Sequence, residues 1–446
     1  MSGLAGRRVA VVSGKDVRHP QAGNPEWYLH EIARHWVAGG ARVTWLVTRQ
    51  PGLAAREWID GVEVLRCQDL LGTYPRAALR TLQRGERFDA VVDATGQASF
   101  TPLIVGRRTP VVQLMHQVRP RARWNKGEHA IAALSPSSRH ELRRNRGLRG
   151  PIFVVPPGAP VTERTGERAA DPTIAVVAPL VPEQRLDLLL HELALVAQRV
   201  PRLRVEIIGD GPEFPRLRRI VHDAGVAAVV SLHGRLPGAE RDVLLRRAWL
   251  TVSAATGELC GRPVLEAAAH GVPCVALDAL GARDFIRNGR TGQIVDSPDG
   301  LGQELVRQLG MLADEEHARA TAERCRAWAG HFRWERSARL LAGVVEHQIG
   351  AARQRVRRRQ ARSDIATLVR LPQGVRIPAG ALRVTDEVAE AGGVVSVLLN
   401  GCDEVGAQSV LDRLGVEDAT VRLACHEDLL TGPYPTEFRT PVHERG

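Results

Sequence analysis

Lysine is almost missing from this chain. Only Lys15 and Lys126 break a positive charge otherwise carried by arginine, yet the formal charge is +11 over 446 residues. Two readings of that bias stand: the codon usage of a GC-rich genome, or attraction to phosphate on an anionic membrane surface or substrate. No RNA- or DNA-binding module accompanies it, which argues against a nucleic-acid partner. Aromatic residues are scarce as well, at 4%, so aliphatic side chains must build most of the core. Cysteine is thin: Cys67, Cys260, Cys274, Cys325, Cys402 and Cys425 form no CxxC pair and no Cys/His cluster. That pattern argues against a disulfide framework and against a structural zinc. No apolar run approaches the roughly 20 residues of a membrane span, and Met1 to Arg8 hold no long apolar segment. The cytoplasm is therefore the expected location. What is present, 44% hydrophobic and 25% charged residues, suits a soluble globular protein. The length exceeds one typical core, so two or three domains are expected.

The first part of the chain alternates short strand-like runs with helical periodicity. Runs beginning at Arg8, Arg42, Val62, Asp89 and Val111 read as strands, and Glu26 to Ala38 reads as a helix between the first two. Such alternation implies a parallel sheet covered on both faces. Pro156-Pro157-Gly158 and the polar stretch after it read as a linker. The pattern then restarts at Thr173 and runs to about residue 350. The expected architecture is α/β: an N-terminal Rossmann-like domain over 1–165, a second over 172–350, and a cleft between them. Ligands of such domains sit at the C-terminal ends of the strands. The tract Arg353 to Arg362 carries six arginines and reads as a solvated helix extension. Residues 363–446 read as a small α/β appendage of unknown role.

The most informative stretch is Ser253 to Pro273, which reads strand, loop, helix, turn, strand. Gly257 and Gly261 allow a tight loop whose backbone can approach a ligand. Pro263 suits a first helical turn, whose free N–H groups and dipole suit a diphosphate. Glu258 in the loop and Glu266 on the helix could hold different parts of one ligand. The plainer alternative is two solvated carboxylates.

The same stretch resembles the Glu-x7-Glu signature of the family-4 retaining glycosyltransferases: Glu258, Gly261, Pro263, Glu266, Ala267, Gly271 and Pro273 fall in place. Other pieces agree in order. Gly209-Asp210-Gly211-Pro212 resembles that family's turn, and His19 to Glu26 its glycine-rich loop. Val111 to His116 resembles the strand that delivers an active-site histidine. The resemblance spans about residues 8 to 350 and implies a GT-B fold, two Rossmann-like domains facing across a cleft. It implies transfer, with retention, of a sugar from a nucleotide-diphosphate donor to an unidentified acceptor. Its implied catalytic residues are His116 and Glu258, both at the donor sugar. Glu266 would meet the ribose hydroxyls. Gly261, Arg262 and Val264 would hold the diphosphate, and Gly23 would lie in the donor-facing loop. The nucleotide sugar would be a substrate, with no cofactor and no metal.

Two departures from the family pattern stand out. Pro179 and Gln184 occupy the positions of an arginine and a lysine that neutralise the diphosphate in the family. A preorganised contact to developing charge is typically worth about 3–4 kcal/mol, so their loss needs a replacement. Arg185, Arg262 and Arg235 are the candidates; if Gln184 faces the cleft, Arg185 points to a different face. The second departure is Asn24-Pro25, where proline stiffens the donor-facing loop. These departures keep a second reading open: a weak or inactive GT-B accessory protein that binds a nucleotide sugar or a partner transferase. A nucleotide-sugar epimerase of similar fold is a third, disfavoured by the Glu-x7-Glu pattern.

Overall fold

The computed structural model describes residues 3–67, 88–95, 109–116, 130–146, 151–160, 167–255, 261–364, 366–375, 377–378, 381–382, 386–400 and 402–424. The chain divides into two compact units, Met1–Ile349 and Gly350–Gly446.

The first unit holds two sheets. Eight strands make the first: β1 (Arg8–Val12), β2 (Arg42–Thr48), β3 (Arg56–Ile59), β4 (Val62–Cys67), β5 (Ala90–Asp93), β6 (Val111–Met115), β7 (Ala130–Ala133) and β8 (Ile152–Val154). Their order is β3-β4-β2-β1-β5-β6-β7-β8. All neighbours are parallel except the antiparallel pair β3 and β4. Every residue of β5, β6 and β7 is buried. That burial explains why these strands are mostly Val, Ala, Leu and Ile, with Asp93 and Gln113 as the polar exceptions, since a parallel sheet is covered on both faces.

The second sheet contains β9 (Thr173–Val177), β10 (Arg204–Ile208), β11 (Val230–Gly234), β12 (Leu250–Ser253), β13 (Cys274–Leu277) and β14 (Gly292–Val295). Its order is β11-β10-β9-β12-β13-β14, and all its pairs are parallel. The helix Leu186–Arg199 buries Leu189, Leu190, Leu193 and Val196 against it. Those residues lie three and four apart, one stripe of an amphipathic helix.

The helix that begins at Trp334 returns to the first sheet. Ala338, Leu341, Ala342 and Val345 join the core that holds Trp36 and Tyr28. Trp36 donates its indole N–H to the Ala338 carbonyl at 2.9 Å. That bond satisfies the one polar atom of a fully buried tryptophan.

The second unit carries its own sheet: β15 (Ala366–Leu371), β16 (Glu387–Ala391), β17 (Val394–Asn400) and β18 (Thr420–Leu423). The strand order is β16-β17-β15-β18, antiparallel throughout. The helix Glu404–Leu414 packs Ala407 and Leu411 on Val369, Leu371, Val397 and Leu399. Asp403 caps it by accepting the Gly406 N–H at 2.8 Å. The arginine tract lies within the helix Trp334–Asp364. Among the described residues, no helix is long and apolar enough to cross a membrane.

Candidate active site

Strand order fixes where a ligand can sit. β9 and β12 are neighbours, and the chain runs from β9 to β10 on one side and from β12 to β13 on the other, so a crevice opens beyond their ends. Two turns meet there. Ala178 donates its N–H to Ile208 O at 3.1 Å, and Leu180 to Asp210 O at 3.0 Å. The approach is close enough that a Cβ on Gly209 would strike the Ala178 carbonyl, and one on Gly211 the Leu180 carbonyl. Glycine is a steric requirement at both places.

Gly261 sets up the second half of the crevice. It has φ +59°, in the left-handed region, and immediately precedes the helix Arg262–Ala269. A Cβ there would collide with the Phe285 ring and the Gly281 carbonyl. Pro263 occupies the first turn, as its fixed φ and missing N–H favour. One turn on, Glu266 is buried, at 6% exposure. A carboxylate so enclosed needs charged partners. Arg262 supplies one, with Nη2 2.6 Å from Oε1. Arg241, on the helix Gly238–Arg247, places Nη1 3.9 Å from Oε2. Arg241 also reaches Asp242 at 3.0 Å. Burial disfavours the Arg241 charge, but the carboxylates of Glu266 and Asp242 outweigh it and hold its pKa above the ordinary value.

These groups open onto a cleft of about 730 Å³ between the two sheets' ends. Ala178, Pro179, Asp210, Arg235, Arg241, Arg262 and Glu266 line one wall. Gly23, Asn24, Trp27, Arg34 and Trp334 line the other. Gly23 caps the helix Asn24–Ala38, and its N–H donates to Glu26 Oε2 at 2.8 Å. Burial raises the Glu26 pKa, against the lowering effect of that N–H. Two arginines cross the gap: Arg235 donates to the Pro20 carbonyl, and the Arg262 guanidinium lies 5.7 Å from the Trp27 ring centroid. Farther along, Ser137 N–H donates to Asp284 at 2.9 Å.

His116 follows β6 and is buried. Its ring meets Tyr28 edge-on at 5.4 Å, and Tyr28 meets Trp334 at 5.7 Å. Among the described residues neither His116 ring nitrogen has a hydrogen-bond partner. Burial alone lowers its pKa to about 4, so the ring is neutral near pH 7.

The residues singled out from sequence sort themselves accordingly. Glu266, Arg262 and Gly23 line the cleft. Gly261 and Val264 line a small adjoining pocket with Gln184. His116 meets Tyr28, which meets Trp334 of the cleft lining, and His116 is not itself among the described lining residues. Glu258 lies outside the described residues.

Two expectations are corrected. Arg185, expected at the donor, is not among the described residues that line the cleft or the adjoining pocket. It has φ +50° between the turn Pro182–Gln184 and the helix Leu186–Arg199, and it pairs with Asp187 at 3.5 Å. Gln184 takes the inward place, so its neighbour turns to the Asp187 and Arg216 cluster. Pro25 stiffens no loop either, because it lies in the first turn of the helix Asn24–Ala38. Arg241 and Trp27 were missed. Arg241 precedes Glu266 by a strand and a loop, and no spacing rule links the two.

Among the described residues, no three His, Cys, Asp or Glu side chains gather as a metal site. Residues 25–163 match the model of Glycosyltransferase Family 4, and residues 162–328 that of Glycosyl transferases group 1. A GDP-mannose-dependent alpha-(1-6)-phosphatidylinositol monomannoside mannosyltransferase of Mycobacterium tuberculosis is 32% identical over 192 residues. That match covers 41% of this chain and 48% of the relative. A D-inositol 3-phosphate glycosyltransferase of Nocardia farcinica is 31% identical over 239 residues, covering 48% of this chain and 51% of the relative. The chain thus spans about half the length of the curated relatives it matches. Among solved structures, sucrose-phosphate synthase from Thermosynechococcus elongatus superposes with TM-score 0.63 at 18% identity, covering 78% of this chain and 100% of that one. Anabaena HepE in complex with UDP-glucose superposes at 0.58 with 18% identity, covering 78% and 100%. These superpositions show that the fold is GT-B.

Proposed function

Because the chain belongs to the family-4 glycosyltransferases, we propose that it transfers a sugar, with retention, from a nucleoside-diphosphate donor to an acceptor hydroxyl. In that reaction the bond from sugar C1 to the diphosphate oxygen breaks, and the electron pair stays on the diphosphate. The acceptor oxygen bonds to C1, and its proton leaves with the departing phosphate. The observation that carries this reading is Glu266, a buried carboxylate on the wall of the inter-lobe cleft beside two arginines. A carboxylate there suits the paired hydroxyls of a ribose, and the flanking guanidinium groups suit phosphates.

Gly261 and Val264 belong to the same donor pocket in this reading, Gly23 to its opposite wall, and Glu258 to the donor sugar. His116 acts through its ring as a neutral wall behind the sugar site. The nucleotide sugar is the substrate and no resident metal is invoked.

The relatives guide the choice of ligands. One is named for GDP-mannose, and HepE was solved with UDP-glucose, so both donors belong in the test. Two relatives are named for inositol-bearing acceptors, which carry phosphate. An anionic polyol, free or at a membrane surface, would suit this arginine-rich chain.

The test is release of nucleoside diphosphate from a panel of sugar donors, with and without polyol acceptors. Turnover that disappears in Glu266→Ala supports the reading. Reversible conversion of the donor without any acceptor would replace it with an epimerase. The accessory reading keeps one specific observation in its favour, neutral Pro179 on the cleft wall and Gln184 in the adjoining pocket. Nucleotide binding without turnover on any donor would favour it.

A further inference from the structure

We infer that Arg241 and Arg262 form the cationic clamp for the donor's diphosphate, in place of the cations that Pro179 and Gln184 do not provide. This inference rests on the donor-site reading above. A diphosphate brought between the lobes carries more than one negative charge and must meet positive charge on the cleft wall. Among the described residues, five side chains that can be cationic line that cleft: Arg34, His35, Arg235, Arg241 and Arg262. Arg34 is bound to Glu31 at 2.7 Å, and His35 lies 3.5 Å from Glu335, both on the far wall. Arg235 donates to the Pro20 carbonyl. Arg241 and Arg262 stand on the near wall, and they converge on one carboxylate from two helices.

Position and energetics both favour this pair. Arg262 begins the helix that Gly261 positions, and its side chain is 12% exposed. Arg241 is 27% exposed. Charge so far removed from water interacts more strongly with a ligand than a surface arginine does. Glu266 holds both guanidinium groups beside the cleft when no ligand is there. Its Arg241 contact is long, at 3.9 Å, while Asp242 holds the same guanidinium by Nη2 and Nε at 3.0 and 3.2 Å, so a phosphate at Nη1 would displace only the long contact. As phosphate takes the arginines, Glu266 is released to accept hydrogen bonds from ribose hydroxyls. Gln184 lines the pocket beside Gly261 and Pro263, and Pro263 also borders the cleft. A cation at position 184 would therefore reach the same space.

The test compares binding of GDP, UDP, their nucleosides and pyrophosphate to the full-length protein and its Arg241→Met, Arg262→Met and Arg262→Lys variants. Each methionine variant is expected to weaken nucleoside diphosphate and pyrophosphate by about 10- to 100-fold, the usual cost of one charge-assisted hydrogen bond. Nucleoside binding should stay within about twofold, which a misfolded variant would not preserve. Arg262→Lys should retain part of the affinity. Gln184→Lys added to Arg262→Met should recover it, because the missing charge is returned to the same space. If the wild type binds the diphosphates and both methionine variants match it, the clamp is refuted while the donor site stands. Equal losses for nucleoside and diphosphate would also refute the clamp, since the arginines would then be structural. If the wild type binds none of the probes, the donor site falls and the clamp with it.

Discussion

At the scale of single residues, conformation and charge make separate demands around the cleft. Gly261 must be glycine on two grounds, its φ of +59° and the contact a Cβ would make with Phe285 and a backbone carbonyl. Gly261→Ala is expected to cost about 1–3 kcal/mol in urea unfolding and to weaken nucleotide binding. A fully stable variant would show that the loop can shift freely. His116 makes the opposite kind of demand, for neutrality. Its folded pKa is about 4, below the unfolded value near 6.5. Between those values the unfolded chain binds a proton that the folded chain does not. Stability should therefore be full above about pH 6.5 and fall as pH drops toward 4. The loss at pH 5 is about 2 kcal/mol. His116→Phe should remove this loss between pH 7 and pH 5, measured by urea unfolding. An identical pH dependence in the variant would mean that the ring is not isolated from water.

At the scale of elements, much of the fold is readable from the sequence, and the gaps have physical causes. The parallel strands announce themselves because both of their faces are buried. Runs such as Val111–Met115 carry no polar interruption except Gln113. β3 escapes notice because Arg56–Ile59 is an edge strand with two exposed residues, Arg56 and Trp58, and only Ile59 buried. β15 and β16 are hidden for a related reason: the arginine tract precedes the one, and Glu387 and Glu390 dilute the other. For the site, Gly261 and Glu266 are legible because a turn and a helix lie side by side in the chain. Arg241 is not, because it reaches Glu266 only through packing of two helices on one sheet. The return helix is held by burial. Leu341 is fully buried against the first sheet's core. Leu341→Ala should lower stability by about 2–5 kcal/mol, read in urea unfolding, through lost burial and the cavity left behind. A change under about 0.5 kcal/mol would mean that the helix contributes little to that core.

At the scale of the whole molecule, the described residues that line the cleft run from Ala22 to Glu335. A chain cut after Ile349 keeps the whole first unit, so it should bind nucleoside diphosphate as the full chain does. Loss of binding in a folded fragment would assign the second unit a part in the site. Attachment to an anionic surface is an expectation for the arginine tract, separate from the cleft. Replacing its six arginines by glutamine should reduce sedimentation with phosphatidylserine vesicles and leave nucleotide affinity unchanged, with the wild-type effect lost at high salt. Equal sedimentation of both proteins would exclude the tract as a membrane contact. The location of the donor can be read directly by amide hydrogen exchange with and without a nucleoside-diphosphate sugar. Protection should concentrate at Ala178–Leu180, Ile208–Gly211, Arg235–Arg241 and Gly261–Glu266, the segments that follow β9, β10, β11 and β12. Protection confined to other segments, with these four unchanged, would contradict a donor site in the cleft.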